Sequence, residues 1–438
     1  MCISCFILFV NDLKEVRNIS NLCIMSRNQY AFFLLCILIG SCARTNLSTD
    51  LSVIPVESMV GKYEILNISD YASSVSYIPL ETNDNVLIRN ISEIIFEQEQ
   101  IIVNDPIQSC MVFDKYGSYL HNLGNKGLGP EEYLSIRYLS SWNDSIFLHT
   151  GSPVKIMIYH SDGRLIDILR ADNIPETYRL NAIWFLKPQI YLSDVVAMAE
   201  NNSTSSYPRA ILLQEDNKRL TISREYPYVS LEKEFGGFSS SFEVATMYRF
   251  SNKIYTYKAI NDTIFTIGPD LEMDKAFVFN LGKYRASTKW MFEMNPKKNP
   301  DYIWPLNIME STDYLFVEFF FGNHAPERFE YLSRPGTGDE RVYTDYRVFG
   351  IFNKRTGQLK LMNQPVKKKL GFKNDIDNGP VIWPHYISSN NELVTYISPE
   401  DFMEYYEKTE NHSPRMTEIA KNLKIDDNPI VIIAKFKK

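Results

Sequence analysis

The chain has 438 residues, with 46 Lys and Arg against 53 Asp and Glu and a formal net charge of −7. This mild acidity excludes a nucleic-acid binder, which calls for a clustered basic surface; the one dense basic run is Lys367-Lys368-Lys369. Hydrophobic residues make up 45% and aromatic residues 13%, ample for a core at this length and weighted toward strand formers.

The N-terminal region reads as an export signal. Arg27 supplies a positive charge and Ala31 to Ile39 an apolar run, followed by the lipobox Leu38-Ile39-Gly40-Ser41-Cys42. The run is shorter than the about 20 residues a membrane span needs, and small residues before a cut mark a signal peptide. Residues 1–41 are therefore expected to be removed, with 1–24 an upstream extension and Met25 the true start. Cys42 is the expected lipid attachment point, and several acyl chains on one residue hold a membrane firmly. Residues 42–59, polar at their start, are read as a lipidated tether. Cleavage removes Cys2, Cys5, Cys23 and Cys36, lipid takes Cys42, and Cys110 stands alone, so no disulfide is expected. No acidic export signal follows Cys42, which is succeeded by Ala43-Arg44-Thr45-Asn46. The expected location is the outer membrane, on its periplasmic side.

From residue 60 to 438 the pattern is all-β. Short apolar runs such as Ile101-Ile102-Val103, Ile146-Phe147-Leu148, Ile190-Tyr191-Leu192 and Tyr314-Leu315-Phe316-Val317 alternate with Asn, Asp and Gly turns. No helices intervene, which favours antiparallel sheets. The hairpin Met111–Leu120, turning at Gly117, recurs at Ile156–Ile166, turning at Gly163. Looser copies turn at Asp216-Asn217, Pro269-Asp270 and Thr356-Gly357. A period of about 50 residues with four strands per unit predicts a β-propeller. Five copies are expected at 88–123, 134–169, 180–224, 243–280 and 304–362. A sixth is assembled from Trp383–Ser388, Glu392–Ile397 and Ile430–Phe436, closed by the N-terminal strand Ser74–Leu80. Closure of this kind removes open sheet edges. Ser398-Pro399 and Ser413-Pro414 are helix starts, so 399–424 is expected as a small helical insertion on the outer rim of the last blade. Residues 322–345 are expected to form one long loop.

The segment Val112-Phe113-Asp114-Lys115, Gly117 and Gly124-Asn125-Lys126-Gly127-Leu128-Gly129-Pro130-Glu131-Glu132-Tyr133, with Ile78-Pro79-Leu80-Glu81-Thr82 and Asp426-Asp427-Asn428-Pro429, resembles the six-bladed β-propeller lipoproteins of Gram-negative gut anaerobes. NHL-repeat propellers are looser relatives. The resemblance implies a six-bladed fold and a lipid anchor, and implies no activity.

Motifs for chemistry are sparse. Gly124 to Pro130 lacks the following Lys-Ser or Lys-Thr of a phosphate loop and joins two strands, so it reads as a connection between blades. Asp375-Ile376-Asp377-Asn378-Gly379 opens like a calcium loop, but Tyr386 stands where the last carboxylate belongs, so a turn is expected. No metal site and no cofactor are expected. The repeat Ile303-Trp304-Pro305 and Ile382-Trp383-Pro384 places two tryptophans at comparable points of blades five and six. Packing between blades is one reading of these rings. The other is a ligand site at the channel mouth formed by Trp304, Asn307, Trp383 and His385, with Arg89, Arg137 and Asn181 from blades one to three. The partner would be a small molecule, glycan or peptide, or an envelope protein. The function expected is a non-enzymatic, lipid-anchored binding propeller. The alternative is a metal-assisted hydrolase or lyase with its site in the central channel, for which Glu93 is the nearest candidate residue.

Overall fold

The computed structural model describes residues 51–437 apart from 152, 172–173, 177, 198–207, 228–244, 259–260, 286–300 and 334–340. The export signal and Cys42 lie outside the described residues. Among the described residues, no helix is long and apolar enough to cross a membrane.

Short alternating segments separated by tight turns fold into antiparallel meanders. The first begins with strand β1 (Glu93–Glu97) and continues in order through Gln100–Asn104, Cys110–Asp114 and Tyr119–Asn122. Its last turn requires glycine: Gly117 has φ 93°, and a Cβ there would stand 2.2 Å from the Pro79 carbonyl oxygen. Five further strands begin meanders in the same way: β2 (Ile136–Trp142), β3 (Tyr178–Lys187), β4 (Thr246–Phe250), β5 (Trp304–Glu310) and β6 (Tyr386–Ile387). These first strands lie against one another. β1 touches β2 and β6, β2 touches β3, and β5 touches β4 and β6. Arg249 of β4 donates to the Phe185 carbonyl of β3. The result is an all-β, propeller-like arrangement.

Three features depart from the sequence reading. The sheets led by β2 and β3 are not separate. Their last strands pair in parallel at Arg170 and Arg219, with Arg170 N donating to Lys218 O at 2.9 Å, and make one eight-stranded sheet. The sheets led by β1, β4, β5 and β6 have four or five strands. Residues 51–59 are not tether: Ser52–Ile54 adds a parallel strand to Phe277–Phe279, and Ile54 and Val56 are fully buried. The apolar side chains of this segment find a core to fill, which a solvated linker would not offer. Residues 322–345 are not wholly loop, because Phe329–Ser333 pairs with Arg341–Asp345 in a separate hairpin.

The closing strand forms as its apolar pattern predicts. Ala72–Pro79 pairs antiparallel with Ile430–Phe436, with Val75 opposite Ala434 and Tyr77 opposite Ile432. Helices α1 (Pro399–Lys408) and α2 (Pro414–Asn422) follow the last sheet's second strand. Ser398 Oγ accepts from Asp401 N at 3.1 Å and Ser413 Oγ from Met416 N at 3.3 Å, the capping bonds expected of Ser before Pro. Buried Phe402, Met416 and Ile419 seat both helices on the last sheet's core. The core itself is divided among clusters lying between neighbouring sheets. Val103 and Phe113 of the first meander, for example, pack with Val394 and Val431 of the last.

Candidate functional site

The first strands of all six meanders border one cavity of about 870 Å³. Its walls run from Ile91, Asn307 and Pro384 at one end to the first hairpin turns at the other, where Gln98, Asn143, Ser251 and Asn391 all have positive φ. Such turns tie four of the first strands to their second strands.

The wall sets several aromatic rings among many polar groups. Tyr138 and Trp142 come from β2, Trp184 from β3, Tyr248 and Phe250 from β4, and Tyr386 from β6. Tyr138 and Trp184 lie 5.0 Å apart between ring centroids. Arg249 lies among these rings. Its guanidinium stands 4.2 Å from the centroid of Trp142 and 6.0 Å from that of Trp184, which is cation–π distance. Burial lowers its pKa to about 10.

Four carboxylates border the same space. Glu93 on β1 accepts from Leu139 N at 3.1 Å and Asn104 Nδ2 at 3.2 Å. Burial outweighs these bonds and raises its pKa to about 7. Glu97 accepts from the Tyr386 hydroxyl at 2.7 Å and Ser389 N at 2.8 Å. Glu310 pairs with Lys354 at 2.7 Å, and burial still raises its pKa. Glu318 accepts from Trp383 Nε1 at 3.1 Å, with Asn307 a second donor.

The structure brings two of the sequence-predicted site residues to the cavity and leaves five outside its lining. Asn307 and His385 border it. His385 Nδ1 lies 2.7 Å from Thr395 Oγ1, and burial lowers the ring's pKa. Trp383 is 7% exposed, stacked on Phe349 at 4.3 Å and edge-on to Phe316 at 5.8 Å, so it fills the seam between the sheets of β5 and β6. Trp304 is 5% exposed and stacks on Phe320 at 4.0 Å, its partner across the sheet. The Ile-Trp-Pro repeat thus turns its rings into packing layers. Arg89 borders a separate polar groove of about 400 Å³ with Gln108 and Lys126. Arg137 lies beside Gly151, and Asn181 is half-buried on β3; neither borders the cavity. Among the described residues, the cation lining the cavity is Arg249, not Arg89 or Arg137.

Trp142 and Arg249 carry a sequence signal that motif reasoning passes over. Each stands one or two residues before a positive-φ turn, at Asn143 and Ser251, closing the first hairpin of its meander. The calcium-like stretch is the turn expected. Asp375 accepts from Ser69 N and Oγ, and Asp377 from the Tyr77 hydroxyl. Among the described residues, no three His, Cys, Asp or Glu side chains form a group able to hold a metal ion.

The fold has a solved counterpart. A Bacteroides fragilis protein described as exported superposes with a TM-score of 0.61 at 17% identity, covering 88% of this chain and 100% of its own. A Bacteroides vulgatus protein of the DUF4221 family gives a TM-score of 0.49 at 11% identity, covering 84% of this chain and 97% of its own. No curated protein sequence matches the chain. Residues 51–435 match the family described as a domain of unknown function, DUF4934, and the chain belongs to that family.

Proposed function

We propose that this DUF4934 member is an exported, lipid-anchored six-bladed propeller that binds an organic ligand in its central cavity. One observation carries the binding role. Strands from six distant parts of the chain border a cavity of about 870 Å³ whose wall sets aromatic rings among many polar groups. Binding sites for small molecules are concave, mostly apolar and of about 300–1,000 Å³. The six-blade count takes the eight-stranded sheet as two blades, since its halves are joined in strand pairing only at Arg170 and Arg219. The anchor rests on the lipobox ending at Cys42, and export agrees with the description of the Bacteroides fragilis counterpart.

The test is thermal stabilisation of the protein by a panel of neutral and acidic sugars and aromatic metabolites. Trp142→Ala is expected to reduce the affinity of any hit about 10-fold, a loss of about 1.4 kcal/mol. Trp383→Ala is expected to lower the melting temperature and leave that affinity within about 3-fold. Equal loss of affinity in both variants would place the site elsewhere.

A second reading, hydrolysis or elimination in the same cavity, is favoured by Glu93. A buried carboxyl with a pKa of about 7 matches what a general acid or base needs. Turnover of a bound compound that disappears in Glu93→Gln would select this reading.

A further inference from the structure

The groove of about 400 Å³ on the first meander shares no lining residue with the central cavity. Its walls come from the segment ahead of β1, the start of the third strand, and the end of the fourth strand with the residues after it. Buried polar groups fix the backbone of these walls. Asp105, 1% exposed, accepts through Oδ2 from Arg89 N at 2.7 Å and Asn90 N at 3.3 Å. Its Oδ1 accepts from Ile107 N at 2.7 Å and Gln108 N at 3.1 Å. Asn428, also 1% exposed, accepts from Ile88 N at 2.7 Å and donates to Glu81 O at 2.6 Å and Val86 O at 2.9 Å. Lys126 Nζ donates to Pro106 O at 2.5 Å and Ile107 O at 3.1 Å, which ties the third wall to the second. N–H donors gathered on one buried carboxylate form charge-assisted bonds, so the walls hold their places before any ligand arrives.

The side chains on these fixed walls are uncommitted. Those of Asn85, Arg89, Gln108, Ser109, Asn122 and Asn125 line the groove and, among the described residues, make no hydrogen bond or ion pair. All of them reach solvent, four fully exposed and Gln108 and Ser109 partly. Asn and Gln each carry an acceptor oxygen and a donor NH₂. Asp84 adds acceptors and Arg89 donors, while the Lys126 ammonium is already held by carbonyls. Apolar lining is confined to Leu87 and Met111, so an aromatic ring or apolar peptide side chain finds little to bury against. A preorganised groove of this kind suits a ligand whose neighbouring groups each donate and accept. The adjacent hydroxyls of a sugar do so, and one planar amide or guanidinium spans two of them.

We infer that this groove is a sugar-binding site, separate from the central cavity, with its amides and Arg89 holding the hydroxyls of the ring. Its volume lies at the small end of the about 300–1,000 Å³ of ligand sites. The test is saturation-transfer NMR on the full chain with D-glucose, D-galactose and N-acetyl-D-glucosamine, and with cyclohexanol as a ring that lacks neighbouring hydroxyls. At least one sugar is expected to bind with a Kd below about 10 mM, and cyclohexanol is not. Two double variants remove side chains from different walls, Gln108→Ala with Asn122→Ala and Arg89→Ala with Asn125→Ala. Each is expected to weaken that sugar at least about 10-fold. Both should melt as the wild type does, because the side chains removed make no bond within the protein. Trp142→Ala, in the central cavity, should leave the affinity within about 3-fold.

Failure of all three sugars to bind at about 10 mM would overturn the proposal. So would transfer to cyclohexanol as strong as to the sugars, which would show that neighbouring hydroxyls are not what the groove reads. A sugar that binds both double variants as it binds the wild type would place its site outside the groove. If Trp142→Ala then abolished that binding, the sugar would belong to the central cavity, and this proposal would fall while the reading of the cavity stood.

Discussion

Burial holds the Glu93 carboxyl partly protonated near neutrality, although Leu139 N and Asn104 both donate to it. Its folded pKa of about 7 lies well above the about 4.3 of an unfolded glutamate. Between those values the folded chain holds a proton that the unfolded chain has lost. The group's favourable contribution is therefore complete below about pH 4 and is lost as pH rises through 7. Glu93→Gln keeps a neutral side chain at every pH, and Asn104 can turn its amide oxygen toward the new donor. The stability difference between variant and wild type is expected to move in the variant's favour by about 3 kcal/mol from pH 4 to pH 8, measured by urea unfolding. A difference that stays flat with pH would mean that Glu93 does not titrate in that range. At this scale the sequence was a poor guide. Glu93 is named by its place on the first strand, but nothing local marks it as buried. The Trp304 and Trp383 repeat is conspicuous, yet both rings pack away from the cavity.

Joining elements is the task of another buried pair. Asp194 lies on the strand Ile190–Ala197, and Lys258 follows directly after Lys253–Tyr257 in the next meander. Both side chains are fully buried, with Nζ 2.9 Å from Oδ1. Asp194 Oδ2 also accepts from Ala245 N at 2.9 Å, and Lys258 Nζ donates to Val195 O at 2.8 Å. Removing one partner strands the other charge in an apolar interior. Asp194→Ala is expected to cost about 3–5 kcal/mol in urea unfolding, and the double change Asp194→Leu with Lys258→Met to recover most of it. A double variant no more stable than the single would mean that the backbone bonds, not the charge, set the cost. Elements were largely legible: apolar alternation located the strands, Gly117 and Gly163 the hairpins, and Ser398-Pro399 and Ser413-Pro414 the helix starts. Contacts between elements were not. Asp194 and Lys258 are far apart in the chain, and which side of a first strand faces the axis depends on sheet twist, which the apolar pattern does not encode.

On the scale of the molecule, the described N-terminal segment binds three sheets together. Ser52–Ile54 runs parallel to Phe277–Phe279, Tyr63–Glu64 runs parallel to Leu361–Met362, and Ala72–Pro79 pairs antiparallel with Ile430–Phe436. Each covers the last strand of a sheet, whose free N–H and C=O groups would otherwise offer a template for another chain. Ile54, Val56 and Ile68 are fully buried along the way, so the segment contributes core as well as pairing. The three contacts differ in kind. The two parallel strands add a fifth member to sheets that already have four, whereas Ala72–Pro79 is the fourth strand of the last sheet and lies against Ile430–Phe436 along its whole length. Two deletions separate these roles. Loss of residues 51–64 removes the added strands with the buried Ile54 and Val56 but leaves each of those sheets its four strands, so it should lower the melting temperature and cause less aggregation than the longer deletion. Loss of 51–82 uncovers the apolar strand Ile430–Phe436 and opens the ring, so light scattering should show aggregation on refolding. The contrast between the two is what tests closure. A soluble, monodisperse product of the longer deletion, melting like the shorter one, would mean that the C-terminal strand does not depend on the N-terminal strand to cover its edge.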